Sequence, residues 1–314
     1  MTYLDFCENV KLKLQDIVEH GTTVRIQKVL KNNNVVRYAA IITEEDSTIS
    51  PSIYLENYYS DYINGQSLSS ICNDIISMHE RYRGGITFNI DDYFDYNFVK
   101  DKLYLKAINR EKNVEFLKNI PYREFCDLAI VAYIALEEAQ NGYATITVNH
   151  KNLEMWDVSM EEIFDVAFAN MCEKTPPMLE KITSIMRELL KERFNEQQDY
   201  ETEEEINRVI DLMEENNDTV MYMLTNSKKL NGASYIVYEE YLREFANSIN
   251  SDLYIIPSSI HEILLIPMDS GVPKEELECM VRDVNKSELS PGEVLSDSVY
   301  EFYRDTGFVG DSIE

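Results

Sequence analysis

Apolar residues near the start of the chain follow a helical period. Leu4, Val10, Leu14, Ile17 and Val18 fall close to one face of a helix over 3–20, and Gly21 stands where it can stop. The next two runs, 23–30 and 35–43, are β-rich and flank Lys31-Asn32-Asn33-Asn34. Asn tolerates positive φ, so this pattern predicts a hairpin. Residues 53–82 predict two helical pieces. Tyr54, Tyr58 and Tyr62 recur at i, i+4 and i+8 in the first, and Asn64-Gly65 interrupts the run. Leu68, Ile71, Cys72, Ile75, His79 and Tyr82 keep the spacing in the second, before Gly84-Gly85.

From Asp127 onward the pattern becomes strand, turn, strand, helix. The apolar run 128–136 predicts a strand, Asn141-Gly142 a turn, and 143–148 a second strand. Ser159 followed by Glu162 has the capping-box spacing and opens a helix to about 171. A second unit reads 220–225 strand, Asn231-Gly232 turn, 234–238 strand, 239–249 helix. A third reads 253–256 strand, Pro257-Ser258-Ser259 turn, 260–267 strand, 274–284 helix behind Pro273. Between the first and second units, Pro176-Pro177 precede a helix expected over 178–194. Together these predict an α+β protein of antiparallel sheets with helices packed on one face, in two lobes. The expected organisation is 1–120 for the N-terminal helix, hairpin and Tyr-rich region, and 121–194 for the first ββα unit and its helix. An acidic linker or exposed loop follows at 195–218, then a C-terminal lobe of two ββα units at 219–314.

Charge changes what such a fold is expected to do. Asp and Glu number 57 against 29 Lys and Arg, a formal net charge of −28, yet 44% of residues are apolar and 11% aromatic. A solvated acidic tail lacks core formers, so this is a folded core in a negative field. Such a field repels nucleic acid and anionic lipid and speeds encounter with basic surfaces. The plain alternative is that the acids serve solubility alone. The five cysteines are far apart and form no CxxC pair, which supports neither a disulfide framework nor a thiolate zinc site and fits a reducing compartment. No apolar h-region opens the chain, and the 128–136 run is about half the length needed to span a bilayer. The expectation is a cytoplasmic protein without a membrane span.

Three segments carry a family resemblance: ISPSIYLENYY at 49–59, WDVSMEEIFDVAFAN at 156–170, and DLYIIPSSIHEILLIP at 252–267, the last followed by Leu295-Ser296-Asp297 and Val299-Tyr300. Together they resemble an uncharacterised domain-of-unknown-function family found in many copies in anaerobic gut bacteria. The Trp156 segment is also similar to part of a second uncharacterised bacterial family. The resemblance implies a bacterial, cytoplasmic origin and brings no reaction with it.

Candidate chemistry is sparse. His261-Glu262 opens an HExxH comparison, but Leu265 stands where the second ligand would be. Ser258 and Ser259 beside His261 and Glu262 suggest a polar cluster, with Ser259 and His261 on one strand face. No GxSxG elbow accompanies them, and a hydrogen-bonded structural turn is the plain alternative. Asp91, Asp92 and Asp95 lack the spacing and closing Glu of a calcium loop. No Walker A loop or GxGxxG occurs. Neither a metal nor a cofactor is expected. His79 falls on the apolar stripe of its helix and reads as a core or boundary histidine. Tyr54, Tyr58 and Tyr62, near Glu56 and Asp61, would make an acidic aromatic patch if exposed; a half-buried helix packed on the hairpin is the alternative.

These features favour a non-enzymatic binding or regulatory protein that engages a basic protein partner, with no direct nucleic acid and no membrane. A specific form is mimicry of nucleic acid, with Asp and Glu in place of phosphates. The rival is an enzyme or small-ligand binder built on Ser259, His261 and Glu262. The sequence sets no oligomeric state.

Overall fold

A computed structural model describes residues 1–45, 50–82, 90–136, 145–195, 208, 220–257 and 259–309. Gly84-Gly85, Asn141-Gly142, Ser258 and nearly all of the acidic stretch 195–218 lie outside the described residues. The chain forms two compact units, Met1–Lys102 with Ile134–Ile146, and Leu103–Tyr133 with Thr147–Glu314. Among the described residues no helix is long and apolar enough to cross a membrane.

In the first unit, α1 (Tyr3–Ile17) starts from a capping box. The Thr2 hydroxyl accepts the Asp5 N–H at 3.2 Å, and the Asp5 carboxylate accepts the Thr2 N–H at 3.3 Å. β1 (Thr23–Leu30) and β2 (Val36–Thr43) pair antiparallel from Thr23↔Thr43 to Leu30↔Val36. Asn33 and Asn34 between them take φ of 59° and 57°, the left-handed turn expected of this Asn run. β3 (Ser52–Tyr54) completes the sheet on the other side of β2, and α2 (Glu56–Ile63) and α3 (Leu68–Tyr82) follow. Phe6, Val10 and Leu14 of α1 and Ile71 and Ile75 of α3 are buried with Val24, Ile42 and Ile53 of the sheet. Each such side chain contributes about 1.5–3 kcal/mol on full burial.

The expected helix from 53 therefore begins only at Glu56. Ile53 instead pairs with Ala40 and enters the core, and this burial outweighs the helical spacing of the tyrosines. Two short helices, α4 (Ile90–Phe94) and α5 (Tyr96–Val99), follow; Asp95 caps α5 by accepting the Asn97 N–H at 2.9 Å.

The chain continues through β4 (Leu103–Asn109), α6 (Val114–Leu117), β5 (Tyr122–Phe125), β6 (Leu128–Ala135) and β7 (Thr145–Thr147). Next come α7 (His150–Trp156), α8 (Met160–Lys174), β8 (Pro177–Lys181), α9 (Ile182–Asn195) and β9 (Tyr222–Asn226). Last come α10 (Glu239–Ile249), β10 (Leu253–Ile256), β11 (Ile263–Pro267), α11 (Lys274–Ser287), β12 (Tyr300–Tyr303) and β13 (Gly307–Val309). One sheet has the order β4-β6-β5, with β7 also pairing β6. β6 is buried along nearly its whole length, which explains why its sequence does not alternate. A six-stranded sheet has the order β13-β12-β10-β11-β9-β8, and each of its pairs is antiparallel. The protein is α+β.

Three further elements differ from expectation. Residues 178–181 are strand rather than helix, because β8 pairs β9 from Pro177↔Asn226 to Lys181↔Tyr222. That pairing joins the two sides of the acidic stretch within one sheet, so the units divide elsewhere than at 195–218. The expected strand 234–238 is a 3-10 helix, Gly232–Val237. Ala233, Ser234, Tyr235 and Ile236 are all buried, so no face alternates, and the Tyr235 hydroxyl donates to the Met171 carbonyl at 2.8 Å. The strand expected from 260 starts at Ile263 because 259–262 form a turn of their own.

Candidate functional site

Ser259 and His261 are accordingly not on one strand face; they lie in the connection from β10 to β11. Ser259, 3% exposed, donates from Oγ to Glu262 Oε1 and accepts the His261 backbone N–H at 3.0 Å. His261 Nδ1 accepts the Asn231 N–H at 3.2 Å, which fixes the neutral ring with its proton on Nε2. Thr225 Oγ1 donates to the His261 carbonyl at 2.8 Å. Gly232 packs so close that a Cβ there would stand 2.5 Å from both the His261 carbonyl oxygen and Thr225 Oγ1. A nucleophilic serine needs its proton received by a base, and here the hydroxyl proton goes to a carboxylate that closes a turn. This arrangement ties β9, the 3-10 helix and the β10–β11 connection together. Ser258 lies outside the described residues.

The three tyrosines do not share a helix face. Tyr54 belongs to β3, where the Lys31 ammonium lies 4.6 Å and the Arg37 guanidinium 5.6 Å from its ring centroid. Tyr58 and Tyr62 are on α2 and pack against the core, Tyr62 with its ring 5.5 Å from that of Phe6. Burial raises the pKa of Tyr58.

A second polar cluster escaped sequence reasoning, although Ser296 and Tyr300 fall in the family-like segments. Asp127, in the tight turn between β5 and β6, accepts from Ser296 Oγ at 2.6 Å on Oδ2 and from the Tyr300 hydroxyl on Oδ1. Asn109 donates to the Leu295 carbonyl at 2.9 Å. Asn285 donates to the Ser296 carbonyl at 2.9 Å and to Asp297 Oδ1 at 2.7 Å. Burial, with the Asp127 charge second, holds Tyr300 well above the usual phenol range and pushes the Cys126 thiol up to about 11. Both groups thus stay protonated, and Cys126 is no thiolate nucleophile. The network fastens 295–300 onto the β5–β6 turn, the end of β4 and α11. An acid set directly before a wholly apolar strand was the available signal.

The first unit holds a different kind of site. A pocket of about 380 Å³ opens beside the end of α1 and the last turn of α3. Ile17, Val18, Ile42 and Ile76 supply apolar wall, while Glu19, Glu44, Glu45, Glu80, His20 and His79 supply its polar lining. Among the described residues no Lys or Arg lines it. α1 places its C-terminal end here with no basic residue in its last turn, so the helix adds negative partial charge. Gly21 takes φ of +99°, a left-handed geometry that lets the chain turn back into β1, and Glu45 Oε2 would lie 3.4 Å from a Cβ there. His79 sits on the inward stripe of α3, as its spacing predicts, and is 8% exposed. Its Nε2 faces Glu44 Oε1 at 3.4 Å, and its buried Nδ1 has no hydrogen-bond partner. Among the described residues Glu19, Glu45 and Glu80 have no ion-pair partner.

Sequence reasoning singled out His79 as a core or boundary histidine and did not bring it together with the rest of the lining. The residues come from α1, β2, α3 and the loops beside them, and only the fold joins these. Chemically the pocket suits a small cation with an apolar stem. Among the described residues no group of three or more His, Cys, Asp or Glu is arranged to hold a metal ion.

No curated protein and no solved structure matches the chain. A family model described as a family of unknown function (DUF5688) matches residues 3–304, which takes in the α1–α3 pocket, the Asp127 network and the Ser259 turn alike. On a match of that extent, the chain belongs to the family of unknown function DUF5688.

Proposed function

We propose that this chain is an acidic, cytoplasmic binding or regulatory protein that engages a basic protein partner. The observation that carries the reading is the pocket of the first unit, lined among the described residues by four glutamates and no Lys or Arg. The charge of the whole chain supports it. Even with every one of its 29 Lys and Arg matched to an acid, 57 − 29 = 28 carboxylates remain for solvent or an external cation. Such a surface draws basic partners by long-range attraction and loses them as salt screens it. The rival at Ser259, His261 and Glu262 has less to build on, because the Ser259 hydroxyl donates to Glu262 and the His261 ring accepts from Asn231, so hydroxyl and imidazole are not bonded to each other.

Titration of the protein with an oligo-arginine peptide, followed by calorimetry from low to molar salt, tests the proposal. Binding that weakens steeply with salt is the expected result. No binding at low salt, or binding indifferent to salt, would overturn it. Mimicry of nucleic acid is the special case, tested on a basic DNA-binding protein: this chain and duplex DNA should compete for it, and formation of a ternary complex would refute mimicry.

A further inference from the structure

We infer that the α1–α3 pocket is the point at which the partner inserts one arginine or lysine side chain. The inference rests on the proposed reading that the protein binds a basic polypeptide, and adds where and how. Three features of the pocket converge on this ligand. The first is size: about 380 Å³ has room for one arginine or lysine side chain and not for a folded element. The second is the division of its lining. An arginine or lysine is an aliphatic stem with a charge at the tip, and it is best placed where the stem meets apolar wall and the tip meets acid. Ile17, Val18, Ile42 and Ile76 provide the wall, and Glu19, Glu44, Glu45 and Glu80 the acids.

The third feature is His79. A buried polar atom in a folded protein almost always has a partner. His79 lines the pocket, is 8% exposed as a residue, and among the described residues leaves its buried Nδ1 unsatisfied while Nε2 engages Glu44. Polar groups of the Asp127 and Ser259 clusters, by contrast, are matched to one another. The unmet hydrogen bond in the wall of an acidic pocket marks a place built for something more than the chain itself supplies. A metal ion is a poorer fit, because among the described residues no three ligating side chains converge. The end of α1, with no basic residue in its last turn, adds to the preference for a cation over a neutral guest.

The test compares two variants of the full chain that lose the same charge. One carries Glu19→Gln, Glu45→Gln and Glu80→Gln at the pocket. The other carries Glu161→Gln, Glu275→Gln and Glu276→Gln, exposed acids of the second unit. Each is titrated at low salt with an oligo-arginine peptide, with the same peptide made of citrulline, and with free agmatine. All six positions are exposed, so both variants should keep the parent's fold at the assay temperature, which circular dichroism checks.

The expected result is at least a tenfold loss of arginine-peptide affinity in the pocket variant and no more than about threefold in the control. The citrulline peptide should not bind, and agmatine should bind far more weakly than the peptide. Equal losses in the two variants would overturn the pocket as the site while leaving the binding of basic peptides intact. Agmatine as tight as the peptide would overturn the polypeptide source in favour of a free amine. No binding of the arginine peptide to the parent would remove the proposed function as well.

Discussion

The polar clusters of the two units differ in one respect that separates architecture from candidate function. In the second unit, Asp127 has both oxygens occupied by hydroxyl donors, and Ser259, Glu262 and His261 close a turn on themselves. In the first, the α1–α3 pocket carries three carboxylates without an ion-pair partner among the described residues and a buried histidine nitrogen with no hydrogen bond. Serine, histidine and glutamate drawn together attract attention as chemistry, yet here the Ser259 hydroxyl is committed to Glu262 and His261 Nδ1 to the Asn231 N–H. Glu19, Glu45 and Glu80 look like ordinary surface acids in the sequence, yet they line a concavity and have no ion-pair partner among the described residues. Satisfaction of hydrogen bonds therefore sorts the clusters better than residue type does.

The comparison can be broken most sharply at Gly232. Gly232→Ala forces a Cβ into the His261 carbonyl and Thr225, so a loss of about 3 kcal/mol is expected in denaturant unfolding, near the top of the overpacking range. A stability close to the parent's would mean that the Ser259 turn is not the packed junction described. Asp127→Ala comes next. It strands the Ser296 and Tyr300 hydroxyls without their acceptor, and about 2 kcal/mol should be lost. Tyr300→Phe removes one donor and leaves Asp127 bonded to Ser296, for which about 1 kcal/mol is expected. If Tyr300→Phe cost as much as Asp127→Ala, the carboxylate would not be the hub.

A smaller effect appears in the pH profile. The Cys126 thiol has a folded-state pKa raised to about 11, first by burial and then by Asp127. A raised pKa favours the protonated form in the folded state. The associated stability is whole below about pH 9 and drains away as pH rises toward 11. Cys126→Ala should therefore flatten the alkaline fall in melting temperature between pH 9 and 11, without abolishing it, because Tyr300 is shifted in the same direction. An unchanged alkaline slope would place Cys126 in water. At the small end stands the pocket: Glu45→Gln alone should leave the melting temperature within a degree or two, since an exposed acid away from any packed contact contributes within about 0.5 kcal/mol.

The sequence made the local elements legible where one periodicity acted alone. The heptad-like spacing of Leu68, Ile71, Cys72 and Ile75 becomes α3, the Asn run becomes the β1–β2 turn, and Ser159 caps α8 by accepting the Glu162 N–H at 3.1 Å. It misled where tertiary pairing competes with local spacing. Tyr54 has helical spacing to Tyr58, but Ile53 gains more from the sheet; Met178–Glu180 read as helix until β9 is placed beside them. Long-range association is what single-chain patterns lack. Asp127 lies more than a hundred and sixty residues from Ser296, and the pocket gathers side chains from α1, β2 and α3, so neither leaves a motif. The overall charge, in contrast, is a sum over residues and is read from the sequence without a structure.

The most direct measurement is a nitrogen–proton NMR titration of the isotope-labelled protein with the oligo-arginine peptide at low salt. The account predicts shifts concentrated at Gly21, Thr22, His79 and Glu80, with the signals of Ser259, His261 and Glu262 left in place. Shifts centred on Ser259 and His261, or spread evenly over the acidic surface, would contradict it.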